Sequence, residues 1–139
     1  MQWLLDTCVV SELARQRPQP SVVAWLQGNL SAAALSVVTL GEVQYGIERL
    51  AQGRGRNTLQ VWFDGLALQY RQRTLATDET VWRVYARLRA SVEAIGRSQH
   101  DLDLLIAATA TTHQLTLVTR NTRHFVDTGV KIFNPWSAS

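Results

Sequence analysis

Three carboxylates in this chain stand next to segments that are typical of buried secondary structure. Asp6 directly follows a short apolar run, Glu42 lies one turn into a helical segment, and Asp103 lies in the first turn of another. Carboxylates that meet in one cleft repel each other unless a cation compensates them. Oxygen ligands favour Mg²⁺ or Mn²⁺ over zinc. Such a cluster is suited to phosphoryl chemistry, because a divalent ion activates water and neutralises phosphate charge.

Each carboxylate also has a purely structural explanation, which the residues alone leave open. Asp6 is a favourable N-cap for the helix expected after it. Glu42 completes the capping-box pattern that begins at Thr39. Asp103 is a favourable charge at a helix start, where Asp101 is predicted as the N-cap. The sequence distances between the acids are long, so only the fold can bring them together.

Short apolar runs alternate with amphipathic segments along the chain. The best helical segment opens at Asp78 and ends at Gly96. This alternation predicts an α/β fold, a three-layer α/β/α sandwich with a mainly parallel central sheet. Ligands of such sheets bind at the carboxyl ends of the strands, which is where Asp6 is expected. The predicted strands are residues 2–5, 34–38, 73–76, 115–118 and 130–133.

The composition indicates one ordinary globular domain over residues 1–139, with 46% hydrophobic and 18% charged residues. No apolar run is long enough for a membrane span, and no leader sequence is evident, so a cytoplasmic protein is expected. The single cysteine, Cys8, excludes a disulfide framework and a multi-cysteine metal site. The net charge is +3, and all basic residues except Lys131 are arginines, which suits a polyanionic partner.

Several segments together resemble the PIN-domain ribonucleases, in particular the VapC toxins of bacterial toxin–antitoxin pairs. The final segment, IFNPW, is most similar to the FitB branch of that family. The resemblance follows the order of the whole chain. It is carried by Leu4–Leu13 (LLDTCVVSEL), Thr39–Val43 (TLGEV), Asp103–Ala110 (DLLIAATA), Leu117–Asn121 (LVTRN) and Ile132–Trp136 (IFNPW).

The resemblance implies Mg²⁺- or Mn²⁺-dependent endonucleolytic cleavage of RNA by metal-activated water. It assigns the catalytic and metal-binding roles to Asp6, Glu42 and Asp103, and a supporting role to the hydroxyl of Thr7. Asn121 stands where the family often has a fourth acid. An amide oxygen can bind a metal or a water molecule, but it supplies no charge.

Two further positions bear on the implied site. Cys8 stands where the family commonly has asparagine, and we interpret it as a small buried residue. Arg120 and Arg123 follow the predicted strand 115–118 and are candidates for contacts with RNA phosphates. A solvated loop is the alternative explanation for both arginines.

The resemblance also implies partners. The family is held in check by a small antitoxin, which carries the DNA-binding part, so operator DNA would be met only through it. The segments 40–50 and 59–66 are candidates for an antitoxin groove, and residues 81–95 are candidates for a homodimer contact. Core packing explains the same periodicity.

Two other functions remain open at this point. The chain can be a non-catalytic nucleic-acid-binding or regulatory subunit on the same fold, which Asn121 and the arginine content favour. It can also be a phosphoryl-transfer enzyme with Asp6 as nucleophile. The second acid expected two positions later in such enzymes is absent, because Cys8 stands there.

Overall fold

The computed structural model describes residues 1–137. Within them, helices separate the first four strands, as the apolar pattern predicts. None of the described helices is long and apolar enough to cross a membrane. The strands are β1 (Trp3–Leu5), β2 (Ala33–Ser36), β3 (Thr74–Leu75), β4 (Thr116–Val118) and β5 (Ile132–Phe133). The helices are α1 (Thr7–Leu13), α2 (Pro20–Asn29), α3 (Val37–Glu48), α4 (Arg54–Gln69), α5 (Glu79–Ala94) and α6 (Asp101–Thr112).

The five strands form one parallel sheet in the order β3-β2-β1-β4-β5. The central strand β1 pairs with β2 on one side and with β4 on the other, where Leu5 is in register with Val118. The strand β2 is buried along its whole length, as expected of a parallel strand covered on both faces. The α/β/α sandwich predicted from the sequence is therefore confirmed.

Alternation along β1 sends neighbouring side chains to opposite faces of the sheet. Leu5 packs in the core formed with α1 and α2, which Trp62 and Leu66 of α4 also contact. Leu4 packs in the other core, where Ile106 of α6 is fully buried. The helix α3 follows the carboxyl end of β2 and contacts both α1 and α6. Since α1 and α6 belong to the two different cores, α3 connects them, and it carries Glu42.

The caps of two helices differ from the sequence prediction. The helix α3 begins at Val37, and its N-cap is Ser36, whose hydroxyl accepts a hydrogen bond from the Val38 N–H at 3.0 Å. Thr39 therefore lies inside the helix, and the predicted capping box of Thr39 and Glu42 is wrong. The strand before it is shorter than predicted, because the chain turns into the helix as soon as a side chain can cap it.

The N-cap of α6 is His100, and Asp101 was wrongly predicted for that position. The imidazole Nδ1 of His100 accepts from the Leu102 N–H at 3.3 Å. Asp101 lies in the first turn instead, and its carboxylate accepts a hydrogen bond from the hydroxyl of Tyr85 at 2.8 Å. A carboxylate in a first turn is still favoured by the helix dipole.

The ends of α5 agree with the sequence. Asp78 is the N-cap, and its carboxylate accepts from the Val81 N–H at 3.0 Å. At the other end Gly96 has φ +75°, a left-handed conformation that glycine adopts without steric cost. The N–H of Arg97 then donates to the carbonyl of Val92, which satisfies a terminal carbonyl of the helix.

Candidate active site at the carboxyl edge of the sheet

Asp6 is the most buried acid of the predicted site, with 4% of its surface exposed. It follows β1 and is the N-cap of α1, where its Oδ1 accepts from the Thr7 N–H at 2.8 Å. Its Oδ2 accepts from the hydroxyl of Thr119 at 2.7 Å, and the thiol of Cys8 lies 3.6 Å away. The capping role predicted for Asp6 is thus present. It leaves the carboxylate fixed at the edge where β1 and β4 both end.

Glu42 points toward the same edge from the second turn of α3. Its Oε1 accepts a hydrogen bond from the hydroxyl of Thr7 at 2.6 Å. Burial is the main cause that raises the pKa of Glu42, the hydrogen bond from Thr7 opposes the rise, and the charges of Asp6 and Asp103 add to it. These three acids are therefore close enough to interact electrostatically, although they come from distant parts of the chain.

Asp103 is held by a residue that the sequence did not indicate. The Nδ1 atom of His124 lies 3.3 Å from its Oδ2. Burial raises the pKa of Asp103, the charge of Asp6 raises it further, and His124 opposes the rise. The charge of Asp6 thus acts on both Asp103 and Glu42, so the three predicted acids lie in one electrostatic neighbourhood, and their shared role stays a prediction.

The donor chemistry of these acids fits a hard divalent cation, because all of their ligating atoms are carboxylate oxygens. In the described part of the chain, however, no three His, Cys, Asp or Glu side chains are grouped closely enough to hold an ion as they stand. Instead, Glu42 is bonded to Thr7 and Asp103 to His124. Burial is the largest cause of the raised pKa values of Glu42 and Asp103, and the neighbouring negative charges that add to the rise are ones that a cation would relieve.

A cleft of about 630 Å³ opens beside Glu42, between α3 and the start of α6. Along α3 its lining runs from Val38 through Glu42 to Arg49. This concavity is the space through which a substrate would reach the acids. Its lining residues are Thr7, Val38, Gly41, Glu42, Tyr45, Gly46, Arg49, His100 and Leu102.

The supporting positions lie around the acids. Thr7 bonds Glu42, as described. The side chain of Asn121 is exposed, and its backbone N–H donates to the Thr119 hydroxyl at 3.0 Å. Arg120 is exposed, with its guanidinium 5.7 Å above the ring centroid of Trp136, and Arg123 is exposed in the turn Thr122–His124. Both arginines follow β4 at the active edge.

Cys8 lies beside Asp6, but its thiol is unreactive. Burial and the nearby charge of Asp6 raise the pKa of its thiol to about 11. The thiol is therefore protonated at neutral pH and a poor nucleophile. Its sulfur accepts from the backbone N–H of Arg120 at 3.4 Å, which ties the loop after β4 to α1.

Sequence reasoning did not assign Thr119, His100 and His124 to this site. Thr119 had a usable signal, since it follows β4 as Asp6 follows β1, and parallel strands end at one edge. The histidines had none, because they are separated in the sequence and form no local motif. Only the fold brings His124 against Asp103.

Comparison with known proteins supplies the family. Residues 3–131 match the PIN domain. This chain belongs to the PIN-domain family. Toxin FitB of Neisseria gonorrhoeae is 38% identical to it over 135 residues, which cover 96% of this chain and 97% of that protein. The VapC ribonuclease Y4jK of Sinorhizobium fredii is 34% identical over 135 residues, covering 96% of both proteins.

Solved structures agree with this assignment. This PIN domain superposes on a chain of the crystal structure of FitAcB from Neisseria gonorrhoeae with a TM-score of 0.93 and 37% identity. The match covers 99% of this chain and 100% of that one. A chain in the structure of FitAB bound to the IR36 DNA fragment gives a TM-score of 0.92 at 36% identity, covering 99% and 98% of the two chains. The resemblance to the VapC and FitB type is therefore confirmed.

Proposed function

We propose that this chain is the toxin of a toxin–antitoxin pair, and that its single PIN domain is a metal-dependent endoribonuclease. The observation that supports the activity most is electrostatic. Asp6 and Asp103 both raise the pKa of Glu42, from separate elements that end at one edge of the sheet. Burial contributes more to that rise, but a capping role explains only part of the group, since Asp6 caps α1 whereas Glu42 and Asp103 cap no helix. Similarity to a VapC ribonuclease supports the same reaction.

In this proposal, Asp6 and Asp103 hold one Mg²⁺ or Mn²⁺ ion, and Glu42 binds it directly or through water. A bound ion of this kind lowers the pKa of water and neutralises charge on the phosphate. Asp6 is oriented for this role by the donors Thr7 and Thr119, which leave lone pairs of its carboxylate free.

The remaining side chains of the edge have supporting roles. The hydroxyl of Thr7 fixes the rotamer of Glu42 and favours its ionised form. Arg120 and Arg123 lie at the same edge and contact the RNA phosphates, where a guanidinium can bind two oxygens at once. Asn121 offers an amide oxygen to water or to the ion, but no charge. The site therefore relies on three acids.

The decisive experiment is cleavage of single-stranded RNA by purified, antitoxin-free protein with Mg²⁺, with Mn²⁺ and with EDTA. Asp6→Asn and Asp103→Asn remove one charge each at nearly constant shape. Asp101→Asn is the matched control, because Asp101 lies in the same helical turn and bonds Tyr85 outside the site. We expect cleavage only with metal, loss in the first two variants and wild-type rate in the control.

Other outcomes separate the alternatives. Metal-independent cleavage, or full activity of Asp6→Asn, would end the proposed mechanism. RNA binding without cleavage, unchanged by both substitutions, would instead favour a non-catalytic PIN-fold subunit.

We further propose that a small antitoxin occupies the groove between α1, α3 and α4. Its lining is mainly apolar, with Val43 and Leu50 from one wall and Leu59 and Trp62 from the other. Leu50 is 44% exposed, which fits a surface that a partner covers. Glu42 also lines this groove, so an occupant reaches the acids. The relatives FitAB and FitAcB are solved as assemblies, which supports a partner chain.

Leu50→Glu tests this groove without touching the acids. It should abolish copurification with the cognate antitoxin while RNA cleavage stays within twofold of wild type, since a charge in an apolar interface is unfavourable. Leu68→Glu is the control. Leu68 is an exposed leucine near the end of α4, one of the helices that form the groove, but it does not line the groove. Equal loss of binding in both variants would contradict this location.

A homodimer and indirect contact with operator DNA complete the proposed assembly. On α5, Val81 and Val92 are buried in this chain, whereas Trp82 and Ile95 are 48% and 61% exposed. Core packing thus explains only part of that helix, and its exposed apolar side chains are available to a second copy. Trp82→Glu should shift the mass in solution from dimer to monomer. Operator DNA should bind only when the antitoxin is present.

A further inference from the structure

The cleft beside Glu42 has an unusual far end. There Tyr45 is 64% exposed, and the guanidinium of Arg49 stands 5.5 Å from the centre of its ring. The two residues are four apart at the end of α3, so they lie one above the other on its surface. The backbone N–H of Arg49 donates to the carbonyl of Tyr45 at 3.2 Å, so helical hydrogen bonding extends to Arg49.

Apart from their contact with each other, neither side chain has a structural task that explains it. Within residues 1–137 the hydroxyl of Tyr45 makes no hydrogen bond, and Arg49 takes part in no ion pair. Of the thirteen arginines, the five that form ion pairs among the described residues are Arg15, Arg56, Arg83, Arg89 and Arg97. An exposed aromatic ring and a cation without an ion pair thus line the part of the cleft that follows Glu42 along α3.

This combination matches the chemistry of a single-stranded nucleotide. Unpaired bases stack on aromatic side chains, and their phosphates pair with arginine. Glu42 and Arg49 are two turns apart on α3, or about 10 Å at the rise of a helix. Gly46, between them, adds no side chain, and a Cβ there would meet no atom within 4 Å. The path along the helix is therefore open.

We propose that Tyr45 and Arg49 form a nucleotide subsite, in which a base of single-stranded RNA stacks on Tyr45 while Arg49 pairs with its phosphate. The subsite rests on the proposed ribonuclease activity, to which it adds a binding position beside the reacting phosphate. It also offsets a local electrostatic problem, since the acids repel RNA and Arg49 attracts it.

Binding of a short fluorescent oligoribonucleotide in EDTA tests the subsite without any cleavage. Tyr45→Ala should weaken binding by about 5- to 150-fold, the range for one stacked base. Tyr45→Phe keeps the ring and should bind within twofold of wild type. Arg49→Gln should reduce the slope of log affinity against log salt by about 0.7, the value for one phosphate contact on a single strand.

An oligomer with abasic sugars separates the two residues. The affinity of this abasic oligomer should be the same for Tyr45→Ala and for the wild-type protein. Its affinity for Arg49→Gln should still be lower, because the phosphate contact is lost. The subsite is wrong if Tyr45→Ala binds RNA normally, or if only its affinity for the antitoxin falls. Wild-type cleavage of RNA by Tyr45→Ala with an unchanged KM would overturn the subsite and leave the ribonuclease proposal intact. A wild-type protein that neither binds nor cleaves RNA would overturn both.

Discussion

The hydroxyl of Thr7 offers a sharp test of the active-site geometry. It donates to Glu42 at 2.6 Å, and the same residue's backbone N–H holds Asp6. Thr7→Val removes the hydroxyl at constant shape and leaves the backbone bond in place. A hydrogen bond to a charged group contributes about 1.5–3 kcal/mol. Water partly replaces it here because Glu42 is not fully buried, so we expect a loss of about 1–2 kcal/mol.

That loss corresponds to a fall of about 5- to 30-fold in kcat/KM, at about 1.36 kcal/mol for each factor of ten. The bond from Thr7 lowers the pKa of Glu42. Its removal should therefore also move the acidic limb of the pH–rate profile to higher pH. Thr7→Ser keeps the hydroxyl and should retain most activity with the wild-type profile. Single-turnover cleavage over a pH series measures both effects. Wild-type activity in Thr7→Val, or a loss in Thr7→Ser as large as that in Thr7→Val, would refute this reasoning, because keeping the hydroxyl would then not protect the activity.

Three further results are expected. Asp103→Asn should raise the melting temperature of the metal-free protein by a few degrees, because it removes the repulsion between Asp103 and the neighbouring carboxylates. The same substitution should lower the activity. An unchanged or lower melting temperature would argue against repulsion among these acids. Because the pKa values of Glu42 and Asp103 are raised in the fold, the metal-free protein should lose stability as the pH rises from about 4 through these raised pKa values. Mg²⁺ should therefore raise the melting temperature more at pH 7 than at pH 4.5, as a thermal scan can measure. Asp78→Ala should cost about 1 kcal/mol in urea unfolding through loss of the α5 cap, with normal RNA cleavage and a smaller cost for Asp78→Asn.

The sheet and its helices were predictable because apolar periodicity depends on local sequence. A strand such as β1 is short, apolar and ended by an acid, and these features survive in the fold. The strand order was not derivable from pattern, since it depends on which helices cross which face. Even so, the rule that ligands gather at the carboxyl ends of strands was enough to place Asp6.

Caps and contacts were harder to predict, because several residues near a helix start can satisfy the same N–H groups. Ser36 and Thr39 both suit α3, and the length of β2 decides between them. His100 replaced Asp101 for a similar reason. The pairing of His124 with Asp103 connects α6 to the loop after β4, and no sequence spacing encodes such a distance.

The helix α3 separates two hollows, the cleft toward α6 and the groove toward α4. Glu42 and Gly46 line both of them. If RNA binds in the cleft and the antitoxin in the groove, each reduces the binding of the other, because both contact Glu42 and Gly46. Inhibition then follows simple stoichiometric titration when the antitoxin binds tightly: nuclease activity stays near zero until toxin molecules outnumber antitoxin, and rises steeply beyond that point. A graded fall in antitoxin thus becomes an abrupt threshold for the cell, without any conformational switch in this chain.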